Sequence, residues 1–148
     1  MTETKKNIYN ACVHFVESRL KTIKNVIDSN TAALTLETKS SAGDKHETGR
    51  AMLQLEIEKA GQQLKSVMMM QQVLSKINLS KKSNKASLGS LVVTDKATYF
   101  LAISAGKITI DDTDYFAVSA ISPIGKQLLG KNVGDFVTFN KATVLEVC

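Results

Sequence analysis

The 148-residue chain has few of the residues that build several common kinds of site. Its two cysteines, Cys12 and Cys148, are too few for a disulfide framework or for a zinc centre of several cysteines. Cysteine-based acyl transfer would need a histidine beside a partly exposed thiol, and only His14 and His46 are available, with no loop that resembles an oxyanion hole. These scarcities argue against thiol and zinc chemistry, and Cys12 is interpreted as a small core residue.

Long hydrophobic runs are also lacking. No apolar run is long enough to cross a bilayer, and residues 1–6 do not contain the apolar core of a signal peptide. We therefore expect a cytoplasmic protein without a membrane partner. With 43% hydrophobic residues, the chain can form one ordinary domain or two small ones.

The positive charge is concentrated in the first part of the chain. Residues 1–85 carry fourteen Lys and Arg against eight Asp and Glu, whereas residues 86–148 carry five against six. Such an imbalance suits a nucleic acid or another phosphate-rich partner. Solvated lysines on long helices are the commoner cause, and both interpretations stay open.

Two long segments carry helical periodicity. The first covers residues 5–37, and the second runs to about Ile77 with a heptad seam. Joined by a short break, they are expected to fold back as an antiparallel coiled-coil hairpin. The apolar positions of the first are Ile8, Cys12, Phe15, Val16, Leu20, Ile23, Ile27 and Leu34, and the seam of the second is Leu53, Ile57, Ala60, Leu64, Val67, Gln71 and Leu74.

The polar break between these segments, Ser40–Arg50, holds two carboxylates near the start of the second helix. Asp44 and Glu47 stand three residues apart, directly after Gly43. An acid followed three residues later by Glu, before an apolar-periodic run, is also the pattern of a capping box. Plain capping is therefore the simplest interpretation, and a metal or catalytic role is the alternative.

Beyond residues 80–88, interpreted as a linker, the pattern changes to β-rich runs separated by turn residues. One insertion has the signals of a short helix, with Ser122 as N-cap, Pro123 at the first position and Gly130 after the end. The predicted class is α+β, with the hairpin in residues 1–79 and a small β domain with one short helix in residues 89–148. The predicted strands are Leu91–Val93, Thr98–Ile103, Lys107–Ile110, Tyr115–Val118, Asp135–Phe139 and Thr143–Val147.

The segment Ser122–Asp135, Ser-Pro-Ile-Gly-Lys-Gln-Leu-Leu-Gly-Lys-Asn-Val-Gly-Asp, closely resembles the signature of the C-terminal domain of the Gre (GreA/GreB) family. These bacterial elongation factors bind RNA polymerase and stimulate transcript cleavage. The order of parts is similar over nearly the whole chain: a coiled-coil hairpin, a linker and an FKBP-like β domain. Gly43-Asp44-Lys45-His46-Glu47 also matches the family's Gly-Asp-x-x-Glu tip, although Thr48–Ala51 departs from the usual Asn-Ala-Glu-Tyr.

The resemblance implies that the hairpin enters the secondary channel of RNA polymerase. There Asp44 and Glu47 would help to hold a Mg²⁺ ion, shared with the polymerase, and its attacking water beside the 3′ end of the backtracked nascent RNA. Two carboxylates alone do not complete a Mg²⁺ site, so the chain would be an accessory factor and not itself an enzyme. The resemblance accordingly implies no cofactor of its own and no small-molecule substrate. The resemblance also implies RNA contacts for Lys39, Lys45 and Arg50, and polymerase docking at Ser122 and Pro123.

Two other functions remain open at this point. A channel-occupying regulator would keep the docking without stimulating cleavage, and a structural coiled-coil interaction protein would use its two acids only as caps. Peptidyl-prolyl isomerase activity does not follow from an FKBP-like fold, and a sequence with 5% aromatic residues gives no support for such a pocket.

Overall fold

The computed structural model describes residues 2–39 and 43–148, except for the side chains at positions 38, 39 and 43–47. The predicted α+β class is confirmed. Two long helices, α1 (Thr2–Lys39) and α2 (Gly43–Ser75), precede a six-stranded sheet that also carries a short helix, α3 (Pro123–Leu128). The segment between α2 and the sheet holds neither helix nor strand.

The apolar stripes predicted on the two long helices are the faces that become buried. Every predicted apolar position of α1 is buried or half-buried. On α2 the same holds for the whole seam apart from Gln71, whose predicted inward position was wrong: it is exposed, and Met70 is half-buried in its stead. The physical reason is that an amide keeps its hydrogen bonds to water, while the neighbouring thioether loses nothing by turning inward.

The described residues form two compact units, Met1–Phe15 with Gln72–Cys148, and Val16–Gln71. Within the second unit, residues 18–23 of α1 share a groove with residues 63–70 of α2, while Glu37 lies against Gly49. Within the first unit, the hydroxyl of Tyr9 donates to the carbonyl oxygen of Leu74 at 3.0 Å. As the residue numbers on α1 increase, those of the contacting residues on α2 decrease. The two helices therefore pack antiparallel. The tip of the hairpin was predicted in the break Ser40–Arg50, of which residues 40–42 lie outside the described residues.

All six predicted β-rich runs form strands, in the order β3-β4-β2-β1-β6-β5. Neighbours are antiparallel except for β2 and β4, which are parallel. One turn was missed: Asp111 (φ 51°) and Asp112 (φ 64°) form the two-residue connection between β3 and β4, because Asp tolerates the left-handed region that such a hairpin needs. The strands are β1 (Leu91–Thr94), β2 (Thr98–Ala102), β3 (Gly106–Ile110), β4 (Thr113–Ser119), β5 (Phe136–Val137) and β6 (Ala142–Val147).

Helix α3 is fastened to the end of β4. Ser122, predicted as N-cap, accepts a hydrogen bond from the Gly125 N–H at 3.1 Å and donates one to the Ser119 carbonyl oxygen at 2.6 Å. Gly125 is buried, and a methyl group there would overlap that same oxygen of Ser119. The fully buried Leu128 then joins a core cluster supplied by the sheet, which contains Val92, Leu101, Val137, Ala142 and Val144 together with Ala86.

We predict opposite effects for one substitution at two glycines. Gly125→Ala should lower the free energy of unfolding by about 1–3 kcal/mol or more, because the added methyl displaces the backbone of Ser119. Gly61→Ala, on an open face of α2 with nothing within 4 Å of the new methyl, should raise it by up to about 1 kcal/mol. Chemical unfolding followed by circular dichroism measures both, and an unchanged midpoint for Gly125→Ala would contradict the first expectation.

Candidate functional site

The predicted acidic site falls where α1 ends, at Lys39, and α2 begins, at Gly43. Positions 44 and 47 are three apart within α2, which places them on one face of the helix. The side chains of Asp44, Glu47, Lys39 and Lys45 lie outside the described residues, so their roles as metal ligands and RNA contacts stay predictions. Among the described residues, no cluster of three or more His, Cys, Asp or Glu could hold a metal ion.

The backbone at this position favours ionised acids. A helix N-terminus carries partial positive charge from its unpaired N–H groups, and it stabilises carboxylates in the first turn. A helix start is therefore a suitable place for carboxylate metal ligands. The same electrostatics would stabilise capping acids, so the backbone alone does not separate the two interpretations.

A further carboxylate, which the sequence analysis did not include, reaches this region from α1. A methyl group built at Gly49 of α2 would lie 3.5 Å from Cδ of Glu37 and 3.6 Å from each of its carboxylate oxygens. Glu37 is half-buried and the neighbouring Arg50, predicted to contact RNA, is exposed. The sequence does not reveal this proximity, because Glu37 and Gly49 are twelve residues apart in the chain and meet only when the two helices pair.

The docking residues predicted in the sheet half differ in what they offer to a partner. The Ser122 hydroxyl is engaged with Ser119 and Gly125, as described above, so its role in the fold is established by those bonds. Pro123 is exposed at the start of α3. Ile121, directly before the cap, is 81% exposed, although an apolar residue at this position often packs on the following helix turn.

A second group of exposed apolar side chains lies at the edge of the sheet. Phe136 of β5 pairs with Thr143 of β6, which puts Phe136 and Leu145 on the same outward face. Nearby, Gln127 of α3 accepts hydrogen bonds from the Phe139 N–H at 2.7 Å and from the Thr138 hydroxyl at 3.2 Å. Helix α3 and the turn after β5 are therefore tied together, and the exposed Phe139 ring is carried on that turn.

Both cysteines carry free thiols, of which that of Cys12 is buried and that of Cys148 is half-buried. Cys12 is fully buried, and burial raises the pKa of its thiol to about 12. Burial also raises the pKa of Cys148, with a further contribution from Glu146, and its Sγ lies 3.7 Å from the carbonyl oxygen of Leu91. A thiol with a raised pKa stays protonated near neutral pH and is a poor nucleophile. The interpretation of Cys12 as a core residue is confirmed.

Comparisons with known proteins add no identification. No family model matches the chain, and no curated protein matches it either. None of the described helices combines the length and the apolarity that a membrane span requires.

We predict that Cys12 is protected from alkylation in the folded protein. At about pH 8 in a Cys148→Ser variant, a thiol reagent should modify the native chain far more slowly than the denatured chain, because the raised pKa and burial remove both thiolate and access. The rates are measured by mass spectrometry. Equal rates in native buffer and in denaturant would contradict the assignment of Cys12 to the core.

Proposed function

We propose that this protein binds RNA polymerase and stimulates cleavage of backtracked RNA by the polymerase. The observation that carries the proposal is the segment Ser122–Asp135, with its resemblance to the Gre signature, placed after a pair of long antiparallel helices whose second member begins with Gly-Asp-x-x-Glu. The proposal includes the finer architecture: a coiled-coil hairpin with its tip in the break Ser40–Arg50 and an FKBP-like β domain. It also includes a cytoplasmic location, where the polymerase works.

In the proposed mechanism, the polymerase supplies the nuclease site and this chain completes it. Asp44 and Glu47 hold a second Mg²⁺ ion together with the polymerase and the RNA phosphates, because Mg²⁺ commonly takes one or two carboxylates and keeps several waters. With that ion bound beside the polymerase's own, the shared site would supply charge stabilisation for hydrolysis of the phosphodiester. Lys39, Lys45 and Arg50 contact phosphates near the RNA 3′ end and position it.

Docking of the sheet half is proposed at the start of α3. Ile121 and Pro123 present exposed apolar surface there, while Ser122 shapes the turn that carries them. An isoleucine that is 81% exposed is available to a partner, and such residues contribute most when a partner fully desolvates them.

A second candidate is a regulator that occupies the channel without stimulating cleavage. Two observations favour it: Thr48-Gly49-Arg50-Ala51 differs from the family's usual run, and the carboxylate of Glu37 lies at Gly49. An additional carboxylate beside the proposed metal ligands would change the charge of the site, and with it the affinity for a shared Mg²⁺ ion.

The central prediction concerns the two acids. Asp44→Asn/Glu47→Gln should abolish accelerated RNA cleavage in purified, artificially backtracked elongation complexes from the source organism, while polymerase binding changes little. The reason is that the amides keep size and hydrogen bonding but lose the charge that Mg²⁺ requires. Cleavage is followed on gels of end-labelled RNA, and binding is measured in the same samples.

The matched control is Glu56→Gln/Glu58→Gln, which removes two exposed carboxylates further along α2. It should leave cleavage as fast as in wild type. Equal loss of binding and cleavage in the Asp44/Glu47 variant would refute the metal-ligand role. Binding without acceleration by the wild type would select the channel-occupying regulator, and absence of binding would refute both functions.

For docking, we predict that Ile121→Asp weakens polymerase binding by about 10-fold, the loss typical of one buried apolar contact. Ser122→Ala is the comparison variant. It should lower the free energy of unfolding by about 1 kcal/mol through the lost cap, and it should weaken binding less than Ile121→Asp does, because the hydroxyl only shapes the turn. Affinities are measured by fluorescence anisotropy with labelled protein, and the opposite ranking of the two variants would assign docking to the Ser122 hydroxyl.

A further inference from the structure

A cavity of about 320 Å³ lies in the first compact unit. Its wall is formed by the beginning of α1, by the segment after α2 and by the end of the chain. Three lysines line it, Lys5 from α1 and Lys81 and Lys82 from the segment, and no Asp or Glu is among the lining residues. The lysine side chains concentrate positive charge at this cavity, and Cys148, which also lines it, contributes the main-chain carboxylate at the end of the chain.

Lys5 is the unusual member of this group. It is only 5% exposed, and it is the one charged side chain among the buried residues that the structure describes. Burial lowers the pKa of its ammonium group, an effect that Cys148 partly offsets. Lys5 forms no ion pair with a carboxylate of the described residues, and the Cys148 thiol, whose own pKa burial raises, remains uncharged near neutral pH.

Moving an ammonium group out of bulk water costs free energy, and an anionic partner offsets that cost. The fold has a simple way to avoid that cost, namely an apolar residue at position 5, since the other buried positions of α1 are Ile8, Cys12, Val16 and Ile23. A lysine in this place therefore fits a partner that arrives from outside the chain and enters the cavity.

The segment that carries the other two lysines is held in shape by its own hydrogen bonds. Before them, the Asn78 side chain accepts from the Ser80 N–H at 3.0 Å, and the Lys81 N–H donates to the Asn78 carbonyl oxygen at 3.2 Å. After them, the Ser83 hydroxyl accepts a hydrogen bond from the Lys85 N–H at 3.2 Å and donates one to the Lys85 carbonyl oxygen at 2.9 Å. A pre-shaped segment loses less conformational entropy when a ligand binds.

We propose that this cavity binds the phosphate groups of a small molecule that carries a diphosphate. Three lysines match the charge of a diphosphate, and the ammonium group binds phosphate as a point charge that needs no fixed approach angle. Thr2, the first residue of α1, also lines the cavity, so the positive end of a 38-residue helix adds to the attraction. The volume falls at the lower end of the range of about 300–1,000 Å³ for small-ligand pockets.

The site is independent of the proposed role at RNA polymerase. Its residues belong to the first compact unit, whereas Asp44 and Glu47 belong to the second. Failure of either proposal leaves the other intact, because diphosphate binding is tested on the isolated chain and requires no polymerase.

The test is titration of the full chain with pyrophosphate and with inorganic phosphate, by calorimetry and by amide NMR shifts. The chain should carry no added residues at either end, since Thr2 and Cys148 both line the cavity. We expect pyrophosphate to bind about 10-fold more tightly than phosphate, with the largest shifts at Lys5, at residues 81–84 and at Cys148. Equal affinity for the two anions, or no binding, would overturn the assignment.

Three variants separate a built site from general attraction to a basic protein. Lys82→Gln and Lys5→Met should each weaken pyrophosphate binding by about 10-fold, and Lys5→Met should at the same time leave the free protein as stable as wild type or more so. Lys6→Gln removes an equal charge from the adjacent, exposed residue and should change affinity less than 2-fold. An equal loss in Lys6→Gln would show attraction by net charge and refute the site.

An additional titration with a single-stranded RNA oligonucleotide distinguishes the source of the phosphate. Pyrophosphate should not displace RNA from the protein, and RNA should not shift the amide signals of residues 81–84. Tighter binding of RNA than of pyrophosphate at these residues would overturn the small-molecule assignment and make the cavity part of a nucleic-acid surface.

Discussion

The burial of one apolar stripe on each long helix is the interaction on which the described structure depends. Isolated helices are marginal in water, and most of their stability in proteins comes from packing an amphipathic face. The stripe of α1 and that of α2 provide this packing in both compact units, with Ile8, Cys12 and Val16 buried on one helix and Ala60, Val67 and Leu74 on the other. Because the pairing is antiparallel, it also brings the carboxylate of Glu37 to Gly49, near the start of α2.

A second, local constraint organises the sheet half. Ser119 at the end of β4 offers its carbonyl oxygen to the Ser122 hydroxyl, and Gly125 passes over the same oxygen so closely that no side chain fits. The motif Ser-Pro-Ile-Gly therefore has a structural explanation that requires no partner: a cap, a first-turn proline and a glycine for close packing. Ile121 has no such explanation within the fold, since it remains 81% exposed beside this ordered turn.

The sequence was sufficient for the elements and insufficient for contacts between them. Helical periodicity predicted both long helices, because burial of one face leaves a regular pattern in the chain. Runs of β-favouring residues between turn residues predicted all six strands, and the signals of Ser122, Pro123 and Gly130 predicted α3. The heptad pattern wrongly placed Gln71 on the buried face, where Met70 lies instead. The turn at Asp111 and Asp112 was not predicted. Glu37 and the wall around Lys5 could not be predicted, because each depends on segments that meet only after folding.

The excess of positive charge in residues 1–85 now divides into two physically different parts. Exposed lysines such as Lys6, Lys21 and Lys24 are hydrated on the outer faces of α1, and their charge costs the fold little. Lys5 is different, since the residue is only 5% exposed, lines a cavity and forms no ion pair with a carboxylate of the described residues. Net charge alone therefore describes solubility and long-range attraction, whereas the position of a single buried lysine carries the information about a specific anion.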